Sequence, residues 1–179
     1  MKHLKIETNL KNFLIGAVAF FSVGFLITVV VPPLVAPEWG KALATMSPLT
    51  EEEQRGRRIF IAEGCTGCHT QQVRHLEPDM KRFGWRGVDA PPSESPEFAL
   101  DNPHQLGTRR VGPDLSRVGG KYDSSWHYAH LIDPRAMTAG SVMPSYRYLK
   151  PEELRAVTAY LQTLGRGADW RNGRADYEQ

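Results

Sequence analysis

Charged and apolar side chains separate sharply at the start of the chain. Lys2, Lys5 and Lys11 stand against Glu7 alone in the first eleven residues, and Phe13 to Val31 then reads FLIGAVAFFSVGFLITVVV, nineteen residues without a charge. As a helix, that run crosses the ~30 Å hydrocarbon core of a bilayer. Pro32-Pro33 closes it, which sets an N-terminal anchor at residues 1–33. A cleaved signal peptide is the alternative, with Ala42-Leu43-Ala44 as its processing motif. Signal h-regions usually run about 7–15 residues, and the motif lies well beyond the apolar stretch, so an uncleaved anchor is the expectation. Basic residues on the N-terminal flank keep that end in the cytoplasm and put the rest of the chain outside.

Residues 34–48, rich in proline and alanine, read as an extended tether. Thr50-Glu51-Glu52-Glu53 then reads as a capping box that opens a helix running to Gly64. Its apolar positions, Ile59 and Phe60 among them, fall at helical spacing and face a core. No period survives from residue 84 to 108, where Pro91-Pro92, Pro96 and Pro103 stand among serines and acids, so a long surface loop is expected there. Asp123-Ser124-Ser125 caps a short helix through Ile132, which stops before Asp133-Pro134 because the residue ahead of proline avoids the helical region. Pro151-Glu152-Glu153 opens a last helix through Leu164, with Leu154, Val157, Leu161 and Leu164 on one stripe. One domain over 49–167 and a polar tail over 168–179 complete the division.

Composition changes this picture little. The chain is 41% hydrophobic and 23% charged, with net charge +2, which is too small to argue for nucleic acid. Thirteen prolines and sixteen glycines indicate a loop-rich fold, as expected where a cofactor fills much of the core.

The candidate chemistry lies in Gly64-Cys65-Thr66-Gly67-Cys68-His69. Two cysteines two residues apart, followed at once by histidine, form the attachment signature of c-type haem. Thiols one helical turn apart can add across the two vinyl groups of one porphyrin, and His69 then supplies the proximal imidazole. A disulfide or a thioredoxin-like redox pair is the alternative. A redox pair does not require His69 and calls for a preceding strand that is not evident here. A ligating histidine normally donates its other ring N–H to an acceptor, and the Pro113 carbonyl in Val111-Gly112-Pro113-Asp114-Leu115 is the candidate, an ordinary turn being the other reading.

A closed low-spin iron needs a sixth ligand, and five methionines are available. Met1 and Met46 lie in the N-terminus and tether, and Met80 follows His69 by only eleven residues. Met143, before Pro144 in an irregular segment, is favoured, then Met137, then His130. His127 and His130 share a helix face and more often serve as hydrogen-bonded helix residues. Thioether ligation raises the reduction potential.

Helix, Cys-x-x-Cys-His, Gly-Pro-x-Leu, Met-Pro and C-terminal helix come in the order of a class I cytochrome c. More specifically, Gly64 to Arg74, Gly107 to Gly120, Trp126-His-x-Ala-His-Leu131, Asp133-Pro-Arg135 and Met143-Pro-Ser-Tyr146 resemble the membrane-anchored, FixO-like monohaem subunit of cbb3-type cytochrome c oxidases. The stretch from Gly84 to Gly107 departs from that pattern, being longer and richer in proline.

The resemblance implies a mainly α fold: one N-terminal transmembrane helix and a class I cytochrome c-like domain with long loops. It makes Cys65 and Cys68 the thioether attachments of one haem c, His69 and Met143 the iron ligands, and Pro113 the acceptor for His69. Arg74 and Arg110 join the cofactor contacts. Arg110 and its neighbour Arg109 are either solvated charge or guanidinium partners of haem propionates. The implied function is electron transfer to the haem b of a multi-helix haem-copper catalytic subunit that reduces oxygen to water. A further cytochrome c subunit or a soluble cytochrome c is the implied donor. The place is the bacterial cytoplasmic membrane, with the haem domain periplasmic. An anchored subunit of a nitric oxide reductase and a free-standing anchored carrier are the alternatives.

Overall fold

A computed structural model describes residues 9–42, 46–84, 87–119 and 121–165. Leu43 and Ala44 of the processing motif and the polar tail 168–179 lie outside the described residues. The chain divides into two compact units, residues 1–41 and 42–179.

The first unit is one apolar helix, Leu10–Val35, long and apolar enough to cross a membrane. It comprises α1 (Leu10–Phe25), a π-type turn (Leu26–Val30) and α2 (Val31–Val35). The expected stop at Pro32 does not occur. The Val31 amide reaches back five residues to the Leu26 carbonyl, and this widened turn accommodates the two prolines, whose missing N–H groups would otherwise break the ladder.

The second unit is helical, with no β-strand among the described residues: α3 (Glu51–Ala62), α4 (Glu77–Phe83), α5 (Ser124–Ile132), α6 (Pro134–Met137) and α7 (Pro151–Thr163). The Thr50 box forms as its sequence dictates, Thr50 N donating to Glu53 Oε2 at 2.8 Å and Glu53 N to Thr50 Oγ1 at 3.4 Å. Packing of α3 on α7 dominates the unit. Phe60 meets Tyr160 edge to face at 5.5 Å, within a core that also holds Leu115, Leu131, Leu154, Val157 and Leu161. A smaller cluster joins Val73, Phe83 and Ala90, and Met80 packs against it.

The long irregular segment is pinned down. Ala90 is fully buried, and the amides of Ala90 and Ser93 donate to the Met80 and Val73 carbonyls. Arg117, 1% exposed, forms a buried ion pair with Glu97 of the short turn Ser95–Phe98, and Arg57 donates to the Asn102 carbonyl at 3.0 Å. Polar side chains from elsewhere thus satisfy backbone that has no regular structure of its own.

On α5, His127 is 4% exposed, and burial, reinforced by His130 and opposed by Asp123, pulls its imidazole down to about 4. The unfolded chain titrates near 6.5 and takes the proton first. This contribution to stability is therefore full above pH 6.5 and falls from there to about pH 4. Denaturant titrations should show a loss of about 3 kcal/mol across that window. His127→Phe should flatten the slope there, and an unchanged slope would place the titration on another group.

Candidate cofactor site

α3 ends at Ala62 and the chain reverses at Gly64, whose φ of +68° is a conformation that glycine adopts without strain. A single turn, Cys65–Gly67, follows, and His69 N donates back to the Cys65 carbonyl at 2.9 Å. This local geometry puts Cys65 against the core and leaves Cys68 exposed, both as free thiols. Burial pushes the Cys65 thiol up to about 11, against the pull of the Tyr146 hydroxyl. The element that leads into the motif is the helix α3, not the strand that a thioredoxin-like pair calls for.

The segment from Gly107 to Leu115 lies alongside Cys68 to Gln72. Gly107 N donates to Thr70 Oγ1 at 2.9 Å, Gly112 N to the Cys68 carbonyl at 3.0 Å and Leu115 N to the Thr70 carbonyl at 2.8 Å. These bonds set the ring of His69 against Pro113, with Nδ1 2.7 Å from the Pro113 carbonyl oxygen. A carbonyl only accepts, so Nδ1 carries the proton and Nε2 presents a lone pair. Burial lowers the His69 imidazole, while the Pro113 carbonyl and Asp114 oppose that shift. Gly112 is required at its position: a Cβ there would stand 2.3 Å from His69 Cε1.

Met143 is half-buried and packs on the main core, and its segment is tied to the end of α5. Tyr146 N donates to the Leu131 carbonyl at 2.8 Å and Ser145 Oγ to the Ile132 carbonyl at 2.5 Å. Met137 sits half-buried on α6. Val111 and Val142, neighbours in the chain of Gly112 and Met143, are 65% and 76% exposed.

Arg74 and Arg110 are brought together on Asp79, a residue the sequence reading passed over. Arg74 grips its carboxylate with two hydrogen bonds, 2.6 and 2.9 Å, and Arg110 adds a third at 3.3 Å. Arg74 first and Arg110 next hold the Asp79 carboxyl down to about 2. Arg110 also donates to the carbonyls of Gln72 and Gly107 and lies over the Phe83 ring at 5.6 Å. Its side chain is 13% exposed, whereas that of Arg74 keeps 42%. Arg109 is exposed and donates to the Gly67 carbonyl at 3.3 Å.

The donor set fits a c-type haem: two unpaired thiols one turn apart, an imidazole with its outer nitrogen occupied, a half-buried thioether and two exposed valines. An apolar helix long enough to cross a membrane and a domain that is helical among its described residues point to a class, a small domain that such a helix can anchor and that can hold one prosthetic group. The chain belongs to the cytochrome c oxidase mono-heme subunit family, FixO, whose model matches residues 3–163. That family's description is of a mono-heme subunit of a cytochrome c oxidase. The chain is also similar to a protein named cytochrome c oxidase subunit 2 from Alkalihalophilus pseudofirmus, at 26% identity over 125 residues. That match covers 70% of this chain and 29% of the relative, so the chain spans less than a third of that protein's length.

Proposed function

We propose that this chain carries electrons through one covalent haem c to the haem b of a multi-helix haem-copper subunit, which reduces oxygen to water. Leu10–Val35 crosses the bacterial cytoplasmic membrane once, with the N-terminus cytoplasmic and the haem domain periplasmic. A further cytochrome c subunit or a soluble cytochrome c supplies the electrons. The bound haem supplies a one-electron ferric–ferrous couple. Cys65 and Cys68 would hold it by thioether bonds, His69 and Met143 would ligate its iron, and the Pro113 carbonyl fixes the tautomer and orientation of His69. Arg110 serves the cofactor through the Gln72 and Gly107 carbonyls it holds, and Arg74 through Asp79, the carboxylate it shares with Arg110. The observation that carries the reading is the His69–Pro113 hydrogen bond, which leaves Nε2 as the ligating nitrogen directly after two free thiols.

The test is spectroscopic. The purified full chain should keep haem through denaturing electrophoresis and show the weak near-infrared band of thioether-ligated ferric iron. Met143→Leu should abolish that band and open the iron to carbon monoxide, while Met137→Leu should leave both unchanged. A band lost in Met137→Leu and kept in Met143→Leu overturns the ligand assignment.

The Gly112 contact gives a second test. Gly112→Ala must push the His69 ring off the Pro113 carbonyl, since the new methyl would stand 2.3 Å from its Cε1. Loss of an outer hydrogen bond to a metal ligand typically weakens the site by about 10–100-fold. The expected result is a partly high-spin iron and a shifted potential, whereas a wild-type spectrum would show that the ring has room.

A further inference from the structure

A second imidazole, His130, lies on the helix that is bonded to the Met143 segment. His130 lies on α5 one residue before Leu131, whose carbonyl receives the Tyr146 amide, so α5 and the Met143 segment are tied together one residue from His130. Its ring stacks on Trp126 at 4.6 Å and 13°, and Trp126 stacks on Tyr122 at 3.9 Å and 14°. This column fixes the plane of the imidazole. Nδ1 of His130 is buried with no hydrogen-bond partner among the described residues. Leaving such an atom unpaired costs about 1–3 kcal/mol, and the described residues leave this nitrogen open to a further partner. Burial, and after it the charge of His69, lower the His130 imidazole.

We propose that His130 is the reserve axial ligand of the haem iron, taking the sixth position when the Met143 thioether leaves it. The inference rests on the His69/Met143 reading above. In the exchange the iron–sulfur bond breaks and an iron–nitrogen bond forms to a neutral imidazole, with no electron or proton transferred. The iron stays low-spin and closed to small molecules, and its potential falls because an imidazole replaces the thioether. Met137, on α6 beyond Asp133, is the competing donor.

The test compares three variants of the full chain in detergent: Met143→Ala, His130→Phe and Met143→Ala with His130→Phe. Spin state is read by electron paramagnetic resonance and access to the ferrous iron by carbon monoxide binding. His130→Phe alone should keep the near-infrared band, which shows that the domain folds without this imidazole. Met143→Ala should lose the band yet remain low-spin and refuse carbon monoxide, and the double variant should turn high-spin and bind it. A Met143→Ala protein as high-spin and as open as the double variant overturns the reserve role and leaves Met143 ligation standing. A double variant that stays low-spin assigns the exchange to another donor and also overturns it. A near-infrared band that survives in Met143→Ala removes the underlying ligand assignment, and the reserve role with it.

Discussion

Replacing Cys65 and Cys68 together by alanine should yield a chain that keeps no haem through denaturing electrophoresis and whose domain is open to protease. The first outcome follows from chemistry, because these are the only two cysteines in the chain and no other side chain forms a thioether to a vinyl group. The second follows from packing. Cys65 sits against the main core beside Tyr146 and Met143, while Val111 and Val142 stay exposed. A covalently held porphyrin would cover that apolar surface, at about 25 cal/mol for each Å² removed from water. The domain has few regular elements and long connections, so losing that burial takes a large share of a marginal stability. Cys68→Ala alone should keep haem by one bond, with an absorption maximum shifted by the remaining vinyl group. Haem retained by the double variant through denaturation would refute attachment at this motif.

How much of this was legible in the sequence depends on the range of each interaction. The Thr50–Glu53 box, the Pro151 opening of α7 and the Asp123 cap of α5 were readable because donor and acceptor lie within one turn. The helix α4 was not, since seven residues after Leu76 are too few for a period to emerge. The apolar helix was placed correctly but ended too early, because the π-type turn that accommodates Pro32 leaves no mark in a hydrophobic pattern. The segment from residue 84 to 108 read only as a long surface loop because its restraints come from far along the chain, Arg117 to Glu97 and Arg57 to Asn102. Asp79 went unnoticed for the same reason: its meaning lies in Arg110, 31 residues away. The bond from His69 to Pro113 spans 44 residues, and the residues alone left it level with an ordinary turn. Composition could name the ligand types, but only the fold shows which carbonyl, glycine and arginine surround them.

Gly56→Ala, a change of one methyl group nine residues ahead of Cys65, should be among the most damaging substitutions in the domain. In an open helix the same change is favourable by about 1 kcal/mol, because alanine has the higher helix propensity. Here a Cβ on Gly56 would stand 1.9 Å from the Ala156 carbonyl oxygen and 2.9 Å from the Val157 nitrogen. Both are backbone atoms of α7, so no side chain can step aside and the two helices must separate. Overpacking of this kind costs about 1–3 kcal/mol, and a contact with no flexible partner falls at the upper end. The net loss is therefore about 2 kcal/mol or more, which lowers the melting temperature by roughly 5–10 °C. Separation also breaks the edge-to-face contact of Phe60 with Tyr160. It moves the end of α3, which leads through Gly64 directly into Cys65, so the yield of haem-loaded protein should fall along with the melting temperature. Calorimetry of the haem-loaded variant beside its haem yield reads both effects. A melting temperature raised by the helix propensity of alanine would show that the crossing has space to spare.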